Sequence, residues 1–244
     1  TPQELVDFLN DFFKRMTGPI TQNKGFVDKF IGDAVMALFS IPEDPNSGDA
    51  LNSVRAAIGM QEQVTAFNKD NERTDSNLLR VGIGIHSGPV IIGTVGSEER
   101  MESTVTGDTV NLASRLEGLT KFYKSKILIS QSIYEFIKDD ELLEFRELDL
   151  VQVKGKEEPV TIVEVCNSDA EPIREQKLAS REKFAEALTS YRAQKWTAAT
   201  TKFKSCLKDC PEDGAAALYL ERCKIFKKTP PPKDWKGQQI FEQK

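Results

Sequence analysis

An α+β layer fold is predicted for this chain, with helices packed on a mostly antiparallel sheet and a smaller all-α region following it. Three observations predict it. Segments with period-two alternation recur between segments with helical spacing. Turn residues join some of the alternating segments into hairpins. A polar stretch, Asn167-Ser168-Asp169-Ala170-Glu171-Pro172, then separates them from a C-terminal region whose periodicity is helical throughout.

Leu5, Phe8, Leu9, Phe12, Phe13 and Met16 recur at helical spacing, so a helix covers 3–16. Gly25 to Ile31 is extended, Gly32-Asp33 turns it, and Ala34 to Ser40 returns as a second strand. Pro42 to Gly48 is a loop. Ala50, Val54, Ala57, Ile58, Met60 and Val64 place a helix over 49–70. Leu79 to His86 alternates in the β manner, Gly88-Pro89 breaks it, and Val90 to Val95 forms another strand. Thr106-Gly107-Asp108 supplies turn and cap chemistry for a helix from about Thr109 to Leu119. Ile127-Leu128-Ile129 is a short strand, Ser130 caps the next helix, and strands near 143–153 and 159–166 close the first domain at residue 166.

Residues 167–174 form a linker, and 175–244 a helical region with helices over 175–193, 196–209 and 213–227. Its end, Thr229 to Trp235, is extended by its prolines. Ala199, Phe203, Cys206 and Pro211 match the small-aromatic-small-proline spacing of a tetratricopeptide repeat, and Ala187 and Tyr191 match part of its first helix. One such unit cannot bury its apolar face alone. It must pack on the first domain, on a protein partner of this tail, or on a second copy.

Composition narrows the function. The chain of 244 residues suffices for one well-filled domain and a smaller one. Its 33 Lys and Arg against 38 Asp and Glu, without a long basic run, argue against nucleic-acid binding. No apolar run approaches the roughly 18 residues of a membrane span. No signal peptide is visible, so a cytoplasmic location is expected. The chain starts at Thr1 and reads as a fragment, to which an upstream sensor or anchor can belong. Cys166, Cys206, Cys210 and Cys223 are expected as buried thiols in a reducing compartment. The single histidine, His86, reads as structural.

Two segments carry polar groups that the apolar pattern does not require. In Asp28-Lys29-Phe30-Ile31-Gly32-Asp33-Ala34, Asp33 is turn chemistry by itself, yet uncharged residues follow it from Ala34 to Ser40. A carboxylate at the mouth of such a hairpin suits a hard cation such as Mg²⁺. In Thr104-Val105-Thr106-Gly107-Asp108-Thr109-Val110-Asn111-Leu112-Ala113-Ser114-Arg115, Asn111 and Arg115 are four apart and share a helix face near its N-terminus. Helix dipoles favour anions there, and a guanidinium fork matches phosphate oxygens. Lys154-Gly155-Lys156 adds a cationic turn. The inventory points to a nucleoside triphosphate enzyme.

These segments, with Gly84-Ile85-His86-Ser87-Gly88, resemble the class III nucleotidyl cyclase catalytic domain, the adenylate/guanylate cyclase homology domain, over about residues 1–166. The closing Pro-Pro-Pro-Lys-Asp-Trp is similar to tails that follow some bacterial cyclase domains. The resemblance implies a ferredoxin-like fold and a head-to-tail homodimer whose sites lie between protomers. Asp33 matches the second of the family's two metal-binding aspartates, for two Mg²⁺ or Mn²⁺ ions per site. Lys29 matches the purine-reading residue and Thr104 its partner. Asn111 would orient the ribose or the ring-closing oxygen, Arg115 would stabilise charge on the α-phosphate, and Lys154 would hold the terminal phosphates. Lys126 stands where the family often has another cation.

Family guanylate cyclases usually carry Glu and Cys at the two base-reading places, whereas Lys with Thr resembles the bacterial adenylate cyclase pattern. Lysine only donates and adenine N1 only accepts, while guanine N1–H would oppose donor to donor. ATP is therefore the expected substrate. Cyclic AMP and pyrophosphate form by in-line attack of the ribose 3′-oxygen on the α-phosphorus, with two cations. The alternative is a catalytically silent, nucleotide-binding or regulatory module acting through its helical tail. The set Lys29, Asp33, Thr104, Asn111 and Arg115 favours the enzyme. One departure stands out. The family's first metal aspartate lies on a strand before the opening helix, and Asp7 and Asp11 fall within that helix, so the partner of Asp33 is expected upstream of Thr1.

Overall fold

The structure, a computed structural model, describes residues 1–39, 48–97, 100–153, 158–232 and 235–241. The chain divides into two compact units, Thr1–Val81 with Ile85–Asn111, and Gly82–Gly84 with Leu112–Lys244.

In the first unit, α1 (Pro2–Gln22) opens with a reciprocal capping box between Thr1 and Glu4. It runs past the expected end at residue 16 because Pro19 and Ile20 continue its buried stripe. Strands β1 (Phe26–Ile31) and β2 (Ala34–Leu38) form an antiparallel hairpin in which Ile31 faces Ala34. Gly32 sits at φ +63° in the two-residue turn, a left-handed position that glycine takes without steric cost. Helix α2 (Asp49–Asp70) matches expectation. Phe12, Met16 and Val64 form the centre of the small core, with Phe13, Val35, Met60, Leu79 and Val81 packed around them.

The expected strand over 79–86 shrinks to β3 (Ile83–Ile85). Side chains of α2 capture the backbone before it reaches a sheet. Asn68 accepts from the Leu79 N–H at 2.8 Å and donates to its carbonyl at 2.9 Å, and Gln61 donates to the Val81 carbonyl at 2.7 Å. The strand expected over 90–95 appears as β4 (Ile91–Ser97), and it pairs antiparallel with β5 (Arg100–Thr106), in a region with no strand expected.

Helix α3 (Asp108–Tyr123) is longer than expected. Its buried stripe runs Leu112, Leu116, Leu119 and Tyr123, so the last turn is needed to seat Tyr123. In the second unit follow β6 (Ile127–Ser130), α4 (Gln131–Ile137), β7 (Phe145–Val153) and β8 (Val160–Val165). Then come α5 (Ile173–Ala179), α6 (Arg181–Arg192), α7 (Trp196–Asp209), α8 (Gly214–Lys228) and the short β9 (Gln239–Phe241). The single helix expected over 175–193 is two, separated by the buried Ser180, whose hydroxyl donates to the Lys177 carbonyl at 3.1 Å.

The sheet order is β3-β6-β8-β7-β9, with β8 antiparallel to both neighbours and β9 parallel to β7. One continuous core joins α3, the sheet and the C-terminal helices. It includes Leu116, Tyr123, Leu128, Leu148 and Ile162 together with Phe184, Tyr191, Phe203 and Tyr219. The positions of the tetratricopeptide-like spacing, Ala187, Tyr191, Ala199, Phe203 and Cys206, are buried in that core. The helices thus cover their apolar face on the sheet of the same unit. Trp235 anchors the proline-rich end among Tyr191, Trp196 and Phe226, at ring distances of 5.4, 5.9 and 5.4 Å.

Two buried ionic clusters reinforce this junction. Arg146 of β7 bonds Glu164 of β8 at 2.7 Å and Asp213, the N-cap of α8, at 2.5 Å. Lys177 of α5 links Glu164 at 2.8 Å to Asp169 at 2.6 Å. Burial alone would raise the Glu164 carboxyl, but Arg146 and Lys177 outweigh it and hold it at about 2. In the second cluster Asp149 of β7 accepts from Tyr123 of α3 and, at 2.6 Å, from Arg222 of α8. The four cysteines are buried and free, and burial pushes the Cys206 thiol up to about 11, which suits packing rather than reactivity. Among the described residues no helix is long and apolar enough to cross a membrane.

Candidate active site

The first unit contains four of the expected site residues, Lys29, Asp33, Thr104 and Asn111, of which the structure brings Lys29 and Thr104 together. In β1 the ladder slips between Val27 and Lys29, leaving Asp28 as the extra residue of a bulge. A bulge re-aims the side chain that follows it. Lys29 donates from Nζ to Thr104 Oγ1 at 3.0 Å across 75 positions of sequence. Thr104 in turn is held opposite Gly93 by the β4–β5 pairing. The two residues expected to read the base are therefore hydrogen-bonded to each other.

Asp28 is a functional candidate that motif reading passed over. Its carboxylate lies 3.4 Å from the Lys29 ammonium, is only 9% exposed, and keeps Oδ2 without a hydrogen bond. The only sequence signal was an acidic residue beside Lys29 in a strand whose other residues are apolar. At Gly25, just before β1, an added Cβ would meet the Phe39 ring at 2.4 Å, so glycine there lets Phe39 seal the base of the hairpin.

Asp33 lies at the turn of the hairpin and is exposed. Among the described residues no group of three or more His, Cys, Asp or Glu side chains gathers where it could hold a metal ion.

The start of α3 is pinned by Thr109, whose hydroxyl donates to the Pro89 carbonyl at 2.6 Å. Gly107, at φ +144°, makes the preceding bend. Asn111 is exposed one turn into the helix, and its N–H donates to the Gly107 carbonyl at 3.3 Å.

Arg115 and Lys126 belong to the second unit. Arg115 is half-buried one turn after Asn111 on α3. Beneath it the helix backbone lies directly on β3, where an added Cβ on Gly84 would meet the Glu117 nitrogen at 2.2 Å and the Ala113 carbonyl at 2.4 Å. Lys126 donates to the Ser168 carbonyl at 2.6 Å. Burial pushes its ammonium down, against the pull of nearby Asp169. In this chain it therefore ties β6 to the turn after β8. Lys154 lies outside the described residues.

Residues 1–164 match the family model of the adenylate and guanylate cyclase catalytic domain. An adenylate cyclase of Anabaena cylindrica is 46% identical over 169 residues, which are 67% of this chain and 32% of that protein. The terminal-differentiation specific adenylate cyclase of Dictyostelium discoideum is 39% identical over 222 residues, 90% of this chain and 10% of that protein. That match runs beyond the family model into the C-terminal helices. The chain thus spans a third or less of the length of these curated relatives. Among solved structures, the adenylyl cyclase CyaB of P. aeruginosa superposes with a TM-score of 0.59 at 31% identity, covering 70% of this chain and 85% of that one. The guanylyl cyclase Cya2 gives 0.57 at 34%, covering 70% and 84%.

Proposed function

Because the chain belongs to the adenylate and guanylate cyclase catalytic domain family, we propose that it is the catalytic part of an adenylate cyclase, converting ATP to 3′,5′-cyclic AMP and pyrophosphate. The observation that carries the choice of purine is the 3.0 Å bond from Lys29 to Thr104. An ammonium fixed in that position donates to adenine N1, whereas guanine would present a second donor and leave both unpaired. The adenylate cyclase relatives support this reading, and the guanylyl cyclase likeness makes GTP the necessary control.

Positioning and fixed charge do most of the work in such a phosphoryl transfer. Asn111 orients the ribose so that its 3′-oxygen stands in line with the α-phosphorus. Arg115 meets the charge that grows on the α-phosphate oxygens, and Lys154 holds the departing pyrophosphate. Asp33 would contribute one carboxylate to Mg²⁺ or Mn²⁺, which would supply charge neutralisation at the entering and leaving oxygens.

The active form in this proposal is a head-to-tail homodimer. Phe26, Phe30 and Ile31 on β1 and Ile91 and Ile92 on β4 are large apolar side chains left exposed in the first unit, as an interface requires. Incubating the intact protein with ATP or GTP and Mn²⁺ or Mg²⁺ tests the activity. Cyclic AMP from ATP in large excess over cyclic GMP from GTP is expected, and no product from either nucleotide would leave the silent-module reading. Mixing an Asp33→Ala chain with an Arg115→Ala chain tests the shared site. Activity should return in the heterodimer, and a dead mixture in which heterodimers form rejects the arrangement.

A further inference from the structure

Tyr123, Asp149 and Arg222 form a closed polar cluster inside an otherwise apolar core. They come from three elements, α3, β7 and α8, and are 1%, 0% and 6% exposed. Asp149 accepts from the Tyr123 hydroxyl and from Arg222 at 2.6 Å, and its other oxygen accepts from the Leu150 N–H at 2.7 Å. Arg222 also donates to the Tyr123 oxygen at 3.2 Å, and its guanidinium lies 4.9 Å from the Tyr219 ring centre. Tyr219 itself donates to the Leu148 carbonyl of β7 at 2.8 Å, so α8 is locked to that strand.

Such a cluster adds little stability over apolar packing of the same volume, but it specifies one geometry. The geometry it specifies is that of α3. Tyr123 is the last residue of the helix, and the chain leaves it through Lys124 in the left-handed region. Of the other inward residues, Leu112, Leu116 and Leu119 are aliphatic and permit small rotations and slides, and the Thr120 hydroxyl bonds within the helix, to the Glu117 carbonyl at 2.5 Å. The Tyr123 hydroxyl is directional and does not. Arg115 lies eight positions before Tyr123 on the same rigid element, about 12 Å along the axis.

We propose that Arg222 is a positioning residue: through Asp149 and Tyr123, helix α8 of the C-terminal region sets the attitude of α3 and with it the placement of Arg115. The proposal rests on the reading of Arg115 as the group that stabilises charge on the α-phosphate. It assigns the C-terminal helices a part in the chemistry, because the catalytic helix takes its seat from a segment beyond the family's matched residues 1–164. Lys29 and Thr104 belong to the other unit, so base selection is not under this control.

The test uses the intact protein with Arg222→Met and Asp149→Asn combined, which removes the buried pair without orphaning a charge. Amides of residues 112–123 should exchange with deuterium at least about tenfold faster, while those of α2 stay unchanged. The turnover number should fall about tenfold to a hundredfold, as for a displaced catalytic group. KM for ATP and the preference for ATP over GTP should stay within about twofold. In an Arg115→Ala background the same pair of substitutions should cause no further fall, because the group they displace is gone. Arg222→Lys, which keeps the charge on Asp149 but loses the fork, should recover most of the rate.

Unchanged exchange in the folded double variant overturns the coupling. So does an equal fold-loss with and without Arg115, which marks general destabilisation. A parent protein inactive on both nucleotides, with exchange still accelerated in the variant, overturns the active-site reading and the link to Arg115 while locating the failure there.

Discussion

The two units solve opposite problems. The second fills one core with aromatic and aliphatic side chains from α3, the sheet and the C-terminal helices, and pairs every charge that it buries in its two ionic clusters. The first has a small core around Phe12, Met16 and Val64 and carries exposed apolar side chains on two of its strands, at Phe26, Phe30 and Ile31 of β1 and Ile91 and Ile92 of β4, whereas those of the second, Phe122, Phe136, Leu142 and Ile225, are spread over helices and a turn. In the proposed dimer the first unit presents the apolar strand surface that a second chain covers, and the second unit is the frame that holds the end of α3.

Substitutions that break this contrast should differ in kind as well as size. Arg146→Met strands the Asp213 carboxylate and leaves Glu164 with Lys177 alone, and should cost about 3–5 kcal/mol in urea denaturation. Asn111→Ala, on an exposed position, should leave that midpoint in place while lowering the turnover number about 10²–10³-fold. If both variants lose stability equally, the division of labour is wrong.

Acid should sharpen the comparison. Glu164 is held at about 2 in the folded chain against an ordinary 4.5. The stability it contributes is thus present above pH 4.5 and is lost as the pH falls from there toward about 2. Chemical denaturation across that window should show the second unit weakening, and Glu164→Gln should flatten the slope. The smallest effect is expected at the open surface. Ile91→Ser should change the stability of the monomer by no more than about 0.5 kcal/mol, yet weaken self-association measured by sedimentation. Unaltered association would remove β4 from the proposed interface.

Much of the candidate site could be proposed from sequence because its signals are local. Lys29 and Asp33 flank a glycine turn, and Asn111 and Arg115 are one helical turn apart, so spacing alone pairs them. Helix α2 was legible to the residue for the same reason, since its apolar period is uninterrupted. The misses have a common cause in partners distant along the chain. Leu79 and Val81 alternate like a strand, but Asn68 and Gln61 claim their backbone groups. Asp28 gains its meaning from a bulge, which is a property of the pairing with β2. Strand β9 exists only because β7 offers an edge at Val151 to Val153.

By itself the sequence set out the candidate chemistry: a lysine and a threonine proposed for a purine, an amide and a guanidinium proposed for ribose and phosphate, and a carboxylate proposed for a cation. Residue type and short spacing suffice for that, because donor and acceptor character belongs to the side chain. Tertiary structure alone decided that Lys29 reaches Thr104, that Lys126 is spent on the Ser168 carbonyl, and that the C-terminal helices share a core with the sheet. Those outcomes depend on which apolar faces find each other across long stretches of chain. A periodicity shows that a face exists, and only packing shows what covers it.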